Sequence, residues 1–366
     1  MRLRAVLIRL AAGLGLGLGL AMAGPAAAQD AVFTYGNPRL GERLVVRSTT
    51  DAEVLGPVMQ DFVTANPDIS IVYEQWLTNE LYETARADCA RRAAGGLRPG
   101  ASVLISSGAH QLVDLVNRGC AETATGARAE GLPEALHWRD ELWGITREPA
   151  VMVYNRALVP PEEIPHTRFD LLDLLRRDGA RYHGRVATYD IEASGLGYLF
   201  AFADSQQATT FGSLLEALGR ARAVATCCSA EIIDGVAQGR WLIAYNVLGS
   251  YAQWRAAQDP RLGVIAPRDY TLVLSRAFMI PKDATAAPAA KRLLAFLLSP
   301  EGQLALRRRA LIVDAADMPD SDTADASGQS QLRPIGLRLP LLLALDAQAR
   351  ERFIDRWRET FPPAAP

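Results

Sequence analysis

The sequence has few of the residues from which metal centres and nucleophilic active sites are built. Its 366 residues include four cysteines and four histidines. The cysteines show none of the Cys-x-x-Cys spacings of a zinc site. Neither the His-Glu-x-x-His motif of zinc peptidases nor the Gly-x-Ser-x-Gly elbow of many serine hydrolases occurs. The composition therefore predicts no metal and no cofactor, and it disfavours an enzyme.

An excess of charge of one sign is also missing. The 39 Lys and Arg residues are nearly balanced by 41 Asp and Glu residues, which gives a formal net charge of −2. Such a chain has no general electrostatic attraction for nucleic acid or for an anionic membrane. After residue 28 no run of about 18 apolar residues occurs, so no membrane-spanning helix is predicted there. The length exceeds that of a typical single domain, and two domains are expected.

The first 28 residues have the pattern of a secretory signal peptide. Arg2, Arg4 and Arg9 flank an apolar stretch that ends in small residues at positions 26–28. A retained membrane anchor is disfavoured because this stretch is short and interrupted by glycines. We expect cleavage near Ala28 and export of the remaining chain, in a location that permits disulfides.

The four cysteines allow two disulfides. Cys89 and Cys120 are separated by a loop of moderate length, and we predict that they are bonded to each other. Cys227 and Cys228 are adjacent, so a bond between them would be a strained vicinal disulfide. The pairing of these two residues stays open at this point.

Hydrophobic patterning predicts strands and helices that alternate in two series. The first series runs over residues 44–116 and the second over residues 169–246. Extended segments at residues 138–155 and 261–280 join the two series. This alternation predicts the α/β fold class with a parallel component in each sheet.

The two series define two lobes, which are residues 29–146 plus 270–366 for lobe 1 and residues 147–269 for lobe 2. We expect the chain to cross between the lobes near residues 146–148 and again near residues 268–272. The last helix, at residues 346–360, is charged on one face and apolar on the other, and it is expected to pack on the first lobe. Residues 314–331 are predicted to form a surface loop.

Hydroxyl-rich turns follow predicted strands and precede predicted helices at residues 48–50, 106–108 and 194–197. Such turns share one edge of a parallel sheet, where ligands bind in α/β folds. The N-terminus of a helix also favours an anion. Each turn taken alone is typical of ordinary helix capping, but the three together favour a ligand site.

Two segments carry a resemblance to a known family. Residues 143–155 contain an aromatic-Gly strand that ends in Val-Tyr-Asn, and residues 298–303 read Leu-Ser-Pro-Glu-Gly-Gln. Both resemble segments of the type II periplasmic solute-binding proteins of ABC transporters. The resemblance extends over roughly residues 44–360. It implies two lobes, each a mixed sheet flanked by helices, joined by a two-strand hinge.

The same resemblance implies location, partners and ligand. The protein would be a periplasmic monomer that delivers its ligand to ABC permease subunits, or presents it to a membrane sensor histidine kinase. Residues 197–200 and 245–251 resemble phosphoglycerate-type receptors, in the branch that binds ferric iron, sugar phosphates or phosphoglycerate. The ferric members use an adjacent Tyr-Tyr pair, which this sequence lacks. A small anionic organic solute, phosphorylated or carboxylated, is therefore expected, with ferric iron as the alternative.

Charged residues near the crossing complete the predicted site. Arg147 is the best electrostatic partner for an anion because a guanidinium pairs bidentately with carboxylate or phosphate. Mutual compensation between Arg147 and Glu148 is an equal alternative. An exported hydrolase with His110 as the base for Ser106 is disfavoured because no third residue can be assigned. The predicted ligand-binding residues are Ser48, Thr49, Thr50, Ser106, Ser107, Arg147, Glu148, Asp190, Ser194, Gly195 and Asn246.

Overall fold

A computed structural model describes residues 31–39, 41–125, 132–207, 209–313 and 331–361. The predicted signal peptide, its cleavage site and nearly all of the predicted surface loop lie outside the described residues. Within the described part of the chain, no helix has the length and apolar character needed to cross a membrane.

The first of two seven-stranded sheets has the strand order β1-β3-β2-β4-β13-β6-β5. Strand β2 is parallel to β3 and β4, whereas β1 and β13 are antiparallel to their neighbours. These strands are β1 (Ala31–Tyr35), β2 (Glu42–Ser48), β3 (Ile69–Gln75), β4 (Val103–Ser106), β5 (His137–Trp138), β6 (Leu142–Gly144) and β13 (Ala277–Met279). The helices on this sheet are α1 (Ala52–Ala65), α2 (Thr78–Ala93), α3 (Ala109–Asn117), α10 (Ala287–Leu298) and α11 (Pro300–Arg307).

The second sheet has the order β14-β12-β7-β10-β8-β9, and β11 also pairs with β7. Strand β7 lies at its centre, and all eight of its residues are buried. The strands are β7 (Glu148–Asn155), β8 (Val186–Tyr189), β9 (Val224–Thr226), β10 (Ile243–Leu248), β11 (Leu262–Ile265), β12 (Thr271–Leu274) and β14 (Leu332–Pro334). The helices here are α4 (Arg168–Arg177), α5 (Gly179–Tyr182), α6 (Gly195–Gln207), α7 (Phe211–Arg220), α8 (Ser229–Ala237), α9 (Gly249–Ala256) and α12 (Ala347–Thr360). The predicted fold of two mixed sheets flanked by helices is confirmed.

The Ser-Pro-Glu-Gly-Gln segment forms the break between α10 and α11. The side chain of Ser299 accepts a hydrogen bond from the amide of Gly302 at 3.2 Å and caps α11, and Pro300 occupies the first turn. A Cβ atom on Gly302 would lie 1.9 Å from the carbonyl oxygen of Phe296. The two helices can therefore approach this closely only with glycine at position 302.

The chain crosses between the sheets at two adjacent places. The first crossing joins β6 to β7 at residues 145–147, and the second joins β12 to β13 at residues 275–276. The amide of Ile145 donates to the carbonyl of Arg276 at 3.0 Å, so the crossing segments are hydrogen-bonded to each other. The second crossing lies beyond the predicted residues 268–272 because β12 still pairs with β7 in the second sheet. The division of the chain into lobes stays a prediction.

The last helix packs differently from the prediction. Ile354 and Trp357 of α12 lie in a buried cluster with Tyr198 of α6 and Leu215 of α7. The expected packing of this helix on the first lobe was therefore wrong, because its apolar face meets helices of the second sheet. The preceding short 3-10 helix, Leu339–Leu345, contacts α3.

Two disulfides are present. The predicted bond between Cys89 and Cys120 is confirmed, and it links α2 to the segment after α3. Cys227 and Cys228 are bonded to each other between β9 and α8. The question that the sequence left open is thus answered by a vicinal disulfide.

Candidate functional site

A cleft of about 180 Å³ lies between the two sheets. Its walls are formed by residues that follow the carboxyl ends of β2, β3 and β4 on one side and of β8 and β9 on the other. This is the sheet edge at which ligands bind in α/β folds. The lining residues are Thr49, Asp51, Gln75, Trp76, Leu77, Thr78, Ser107, Tyr189, Ala193, Ser194, Leu196, Cys227, Cys228, Ser229, Ala230 and Tyr251.

Five helices begin at this cleft, namely α1, α2, α3, α6 and α8. Within the described residues, the N-cap side chains of α1, α2, α3 and α8 make no capping hydrogen bond, and the first amide of α1, at Ala52, donates to Gln75 Oε1 at 3.1 Å. The first amides of a helix have no partner inside the helix, and together they carry about half a positive elementary charge. The cleft therefore collects backbone N–H groups from both sheets, and the carboxylate of Asp51 also lies in its lining.

Hydroxyl groups of Thr49 and Ser107 meet on the first wall. Their side-chain oxygens lie 3.1 Å apart, and the amide of Ser107 donates to Thr49 Oγ1 at 3.0 Å. Thr49 follows β2 and Ser107 follows β4, so two neighbouring strands deliver the two hydroxyls to one point. The structure thus brings together this pair of predicted residues at the cleft.

Three other predicted hydroxyl residues lie just behind this wall, fully buried or nearly so. Ser48 Oγ accepts a hydrogen bond from the amide of Thr50 at 3.1 Å, and Ser106 Oγ accepts one from the amide of Gly108 at 3.0 Å. These side chains fix the two turns that hold Thr49 and Ser107. Ser48, Thr50 and Ser106 do not line the cleft.

The turn before α6 forms part of the second wall and contacts the first wall directly. Ser194 lines the cleft, and its Oγ accepts from the amide of Gly197 at 3.1 Å. The amide of Gly195 donates to Thr78 Oγ1 at 2.7 Å, which joins α6 to α2. Asn79 Nδ2 adds a bond of 2.9 Å to the carbonyl of Glu192. The two walls are therefore held together at this end of the cleft.

Aromatic side chains form the apolar part of the cleft. Tyr189 and Ser229 have their hydroxyl oxygens 2.6 Å apart, and Tyr251 accepts from the amide of Asp51 at 3.0 Å. Burial raises the pKa of Tyr189 to about 12 and raises that of Tyr251 above its ordinary value as well. Both phenols are therefore protonated at neutral pH. Trp76 is the third aromatic residue of the lining.

Two predicted charged residues lie away from the cleft lining. Arg147 lines a separate cavity of about 180 Å³, together with Gln303, and its Nε donates to the carbonyl of Val313 at 3.3 Å. Glu148 is fully buried and accepts hydrogen bonds from Arg276 at 2.9 and 3.2 Å. The first crossing segment thus directs Arg147 toward another cavity, and the start of β7 directs Glu148 into the buried framework.

The remaining two predicted residues also have structural partners. Asp190 Oδ1 accepts from the amides of Glu192 at 2.8 Å and Ala193 at 3.3 Å, and so shapes the turn before α6. Asn246 has a φ of 62° at the register shift of β10, and its Nδ2 lies 3.4 Å from Asp204. It borders a small cavity behind the second sheet, among side chains of α6 and α7.

The geometry around His110 bears on the hydrolase alternative. The imidazole is buried, and its ring centroid lies 5.7 Å from that of Tyr198. Burial lowers the pKa of His110 to about 3, so the ring is neutral at physiological pH. Ser106, its predicted partner, is fully buried and accepts a bond from Gly108. Across the described ranges, no three His, Cys, Asp or Glu side chains are grouped to hold a metal ion.

Sequence reasoning missed most of the cleft lining. Trp76 and Thr78 follow the end of β3, so the rule that selected Thr49 and Ser107 also applies to them. The disulfide and Ser229 follow β9, a three-residue strand that the patterning did not predict. Tyr251 lies on α9, which was also not predicted.

Two comparisons with known proteins match most of the chain, one with a protein family and one with a solved structure. Residues 58–322 match the family described as bacterial extracellular solute-binding protein. The substrate-binding protein of an ABC transporter from Agrobacterium tumefaciens is 34% identical, with a TM-score of 0.81, over 90% of this chain and 98% of that one. A search of curated proteins found no significant match.

More distant structures share the fold. AfuA from Actinobacillus pleuropneumoniae, solved with exogenous fructose-6-phosphate bound, is 16% identical with a TM-score of 0.65, over 88% of this chain and 99% of that one. Iron-bound HitA from Pseudomonas aeruginosa is 18% identical with a TM-score of 0.59, over 87% and 99%. At these identities the likeness is one of fold alone.

Proposed function

The chain belongs to the bacterial extracellular solute-binding protein family, and we propose that it is the substrate-binding subunit of an ABC importer for a small anionic organic solute. The predicted resemblance and the predicted fold class are confirmed. Proteins of this family act outside the cytoplasm, and we propose the periplasm as the location. The partners would be the permease subunits of the importer.

The convergence of five helix N-termini on one cleft carries the proposal for an anionic ligand. A phosphate or carboxylate at this point would receive backbone N–H donors from both sheets, in addition to the hydroxyls of Thr49, Ser107 and Ser194. Charge-assisted hydrogen bonds of this kind are about twice as strong as neutral ones. An anion could therefore be bound here without an arginine in the cleft.

The rest of the lining supports an organic ligand of small size. Tyr189, Tyr251 and Trp76 supply apolar surface, and Gln75 and Ser229 supply polar groups. A volume of about 180 Å³ is below the roughly 300–1,000 Å³ of pockets for drug-sized ligands. A compact phosphorylated or carboxylated metabolite fits this combination better than a peptide or an oligosaccharide.

The contacts between the walls suit capture by closure. Two hydrogen bonds join elements that belong to different sheets, one between Thr78 and Gly195 and one between Asp51 and Tyr251. Rotation about the two crossing segments would break these bonds and open the cleft. A ligand that contacts both walls would favour the closed state by its differential affinity for it.

The tyrosines of the cleft favour an organic anion over ferric iron. Iron ligation by a phenol requires the phenolate, but burial raises the pKa values of Tyr189 and Tyr251. Both hydroxyls also have protein partners already. Ferric iron is thus the less favoured ligand, and it is included in the ligand screen as the competing candidate.

A thermal-shift screen of the protein purified from the periplasm tests this proposal. The candidates are sugar phosphates, phosphoglycerates, di- and tricarboxylates, phosphonates and ferric ion. A ligand that binds the folded state raises the melting temperature with the logarithm of its concentration. A shift with one organic anion, confirmed by calorimetry, supports the proposal. A shift with ferric ion alone, or with neutral solutes alone, would contradict it.

A double variant then tests the location of the site. Thr49→Val with Ser107→Ala removes both hydroxyls, and each hydrogen bond to a charged group contributes about 1.5–3 kcal/mol, so a loss of affinity of at least tenfold is expected. Thr64→Ala is the matched control because Thr64 is exposed at the opposite end of α1. Equal affinity in the double variant and the control would place the ligand elsewhere.

A further inference from the structure

The vicinal disulfide Cys227–Cys228 lies in the wall of the cleft. Both cysteines belong to the lining, on the side of the second sheet, between the end of β9 and the start of α8. Both are partly exposed. The binding of an anion by helix N-termini, as proposed above, does not require this bond.

The peptide segment that carries the disulfide is held on each side. The carbonyl of Thr226 accepts from the amide of Asp190 at 2.8 Å, and Thr226 Oγ1 donates to Glu231 at 2.5 Å. On the other side of the disulfide, the hydroxyl oxygens of Ser229 and Tyr189 are hydrogen-bonded at 2.6 Å. These contacts connect the segment to β8 and to the first turn of α8. The disulfide is therefore presented to the cleft in a fixed position.

The chemistry of this surface differs from that of its neighbours. Sulfur is polarizable and forms only weak hydrogen bonds, which distinguishes the disulfide both from the hydroxyl, phenol, amide and carboxylate groups of the lining and from its hydrocarbon groups. The bond also closes a small ring with the peptide link, which removes the side-chain rotation of two cysteines. A rigid surface loses little conformational entropy when a ligand packs against it.

We propose that the Cys227–Cys228 disulfide determines ligand specificity by packing against the C–H face of a ring in the ligand. A ring presents several C–H groups on one face and loses little conformational entropy on binding. A flexible chain must lose conformational entropy to present its C–H groups in the same way. The cleft would therefore favour a cyclic sugar phosphate over a linear phosphate monoester. This inference rests on the proposed function, since it concerns the organic part of the same anionic ligand.

Two probes with the same phosphate monoester group test the inference. Glucose 6-phosphate has a ring and glycerol 3-phosphate does not, and the affinity of each is measured by calorimetry. In Cys227→Ser with Cys228→Ser, we expect the affinity for glucose 6-phosphate to fall about tenfold, the size of a lost apolar contact in a pocket. The affinity for glycerol 3-phosphate should change by less than about twofold. The ratio of the two affinities is a readout that general loosening of the fold would not move selectively.

Cys89→Ser with Cys120→Ser is the matched control because it removes a disulfide of the first sheet that does not line the cleft. It should leave the affinity ratio unchanged. The inference would be overturned if Cys227→Ser with Cys228→Ser had the same affinity ratio as the unaltered protein, or if the unaltered protein preferred glycerol 3-phosphate. Either result would leave the proposed function standing. A parent that binds neither probe, nor any other organic anion in the screen, would refute the proposed function and the inference together.

A measurement on the unaltered protein keeps the test independent of how the variants fold. Dithiothreitol reduces a disulfide with two electrons and two protons, yields two thiols, and itself becomes a cyclic disulfide. Alkylation followed by mass spectrometry gives the reduction rate of each bond. Saturating glucose 6-phosphate should slow reduction of Cys227–Cys228 more than saturating glycerol 3-phosphate does, with Cys89–Cys120 unchanged in the same sample. Equal protection by the two probes, or none, would contradict direct packing of the ring.

Discussion

Replacement of Glu148 by glutamine should destabilise the protein strongly, because Glu148 and Arg276 form a buried ion pair at the two crossing segments. Their side chains are 0% and 1% exposed. Burial alone would lower the pKa of Arg276, but the facing carboxylate outweighs this effect and raises it. The guanidinium of Arg276 therefore keeps its charge inside the protein. It also connects the start of β7 to the segment between β12 and β13.

The size of the effect follows from the contacts that are lost. The carboxylate of Glu148 accepts hydrogen bonds from Arg276 Nε at 2.9 Å, from Arg276 Nη2 at 3.2 Å, from Thr146 at 2.7 Å and from Ser250. Glu148→Gln leaves the guanidinium without a counter-charge in a site closed to water. Breaking one side of a buried pair costs about 3–5 kcal/mol, a large part of the 5–15 kcal/mol that is typical of the stability of a whole domain.

A double-mutant cycle in urea unfolding at pH 7, followed by circular dichroism, measures this effect. Arg276→Met should also be strongly destabilising because it leaves a buried carboxylate with two hydroxyl donors. The double variant has no buried charge at this site, so its loss of stability should be smaller than the sum of the two single losses by at least about 2 kcal/mol.

The exposed pair of Arg220 and Glu216 provides the control, since Glu216→Gln should change the stability by less than about 0.5 kcal/mol. The reasoning fails if Glu148→Gln costs no more than this control. It fails equally if the two changes in the cycle are additive.

Four further substitutions have outcomes that follow from the surroundings of the residue. The pKa of His110 is about 3 in the folded protein but near 6.5 when unfolded, so acid favours the unfolded state across this interval. From pH 6.5 to pH 4 the unfolding free energy of His110→Gln should therefore fall less steeply than that of the parent protein. The two slopes should differ by up to about 1.4 kcal/mol per pH unit, and parallel curves would contradict this prediction. Gly302→Ala brings Cβ into the carbonyl of Phe296 and should cost at least about 1–3 kcal/mol in urea unfolding. Gly212→Ala, with nothing within 4 Å, should instead stabilise α7. Arg147→Ala should change the calorimetric affinity for glucose 6-phosphate by less than about twofold, since Arg147 lies in another cavity; a tenfold loss would restore it to the site.

The sequence predicts the elements of the fold well where the local pattern and the tertiary packing agree. The strand at residues 44–48 and the helix that follows it are recovered as β2 and α1, because their apolar residues have the spacing of the buried face. Glycine at position 302 is another case of this agreement, because a Cβ atom there would collide with the carbonyl oxygen of Phe296. The packing of α12 could not be predicted in the same way, since an apolar helix face does not specify which of two surfaces it covers.

The candidate site is less predictable because its walls depend on register and on short elements. Thr49, Ser107 and Ser194 were found by the rule that turns at the carboxyl ends of strands meet at one edge. The same rule selected Asn246, but a bulge in β10 puts this residue in a left-handed conformation and turns it toward Asp204. Strand β9 has three residues, too few for a periodic signal, so the cysteines after it were not assigned to the cleft.

The predicted charged residues Arg147 and Glu148 do not line the cleft, and the reason is physical. A guanidinium inside a protein needs a partner, and in Arg168 and Arg276 buried carboxylates of the protein itself fill that role. The groups of the cleft that favour an anion are instead helix N-termini, which do not distinguish phosphate from carboxylate. For the anionic solutes proposed above, discrimination would then arise from the remaining walls. The disulfide and the tyrosines are therefore the positions at which related proteins of this fold should differ when their ligands differ.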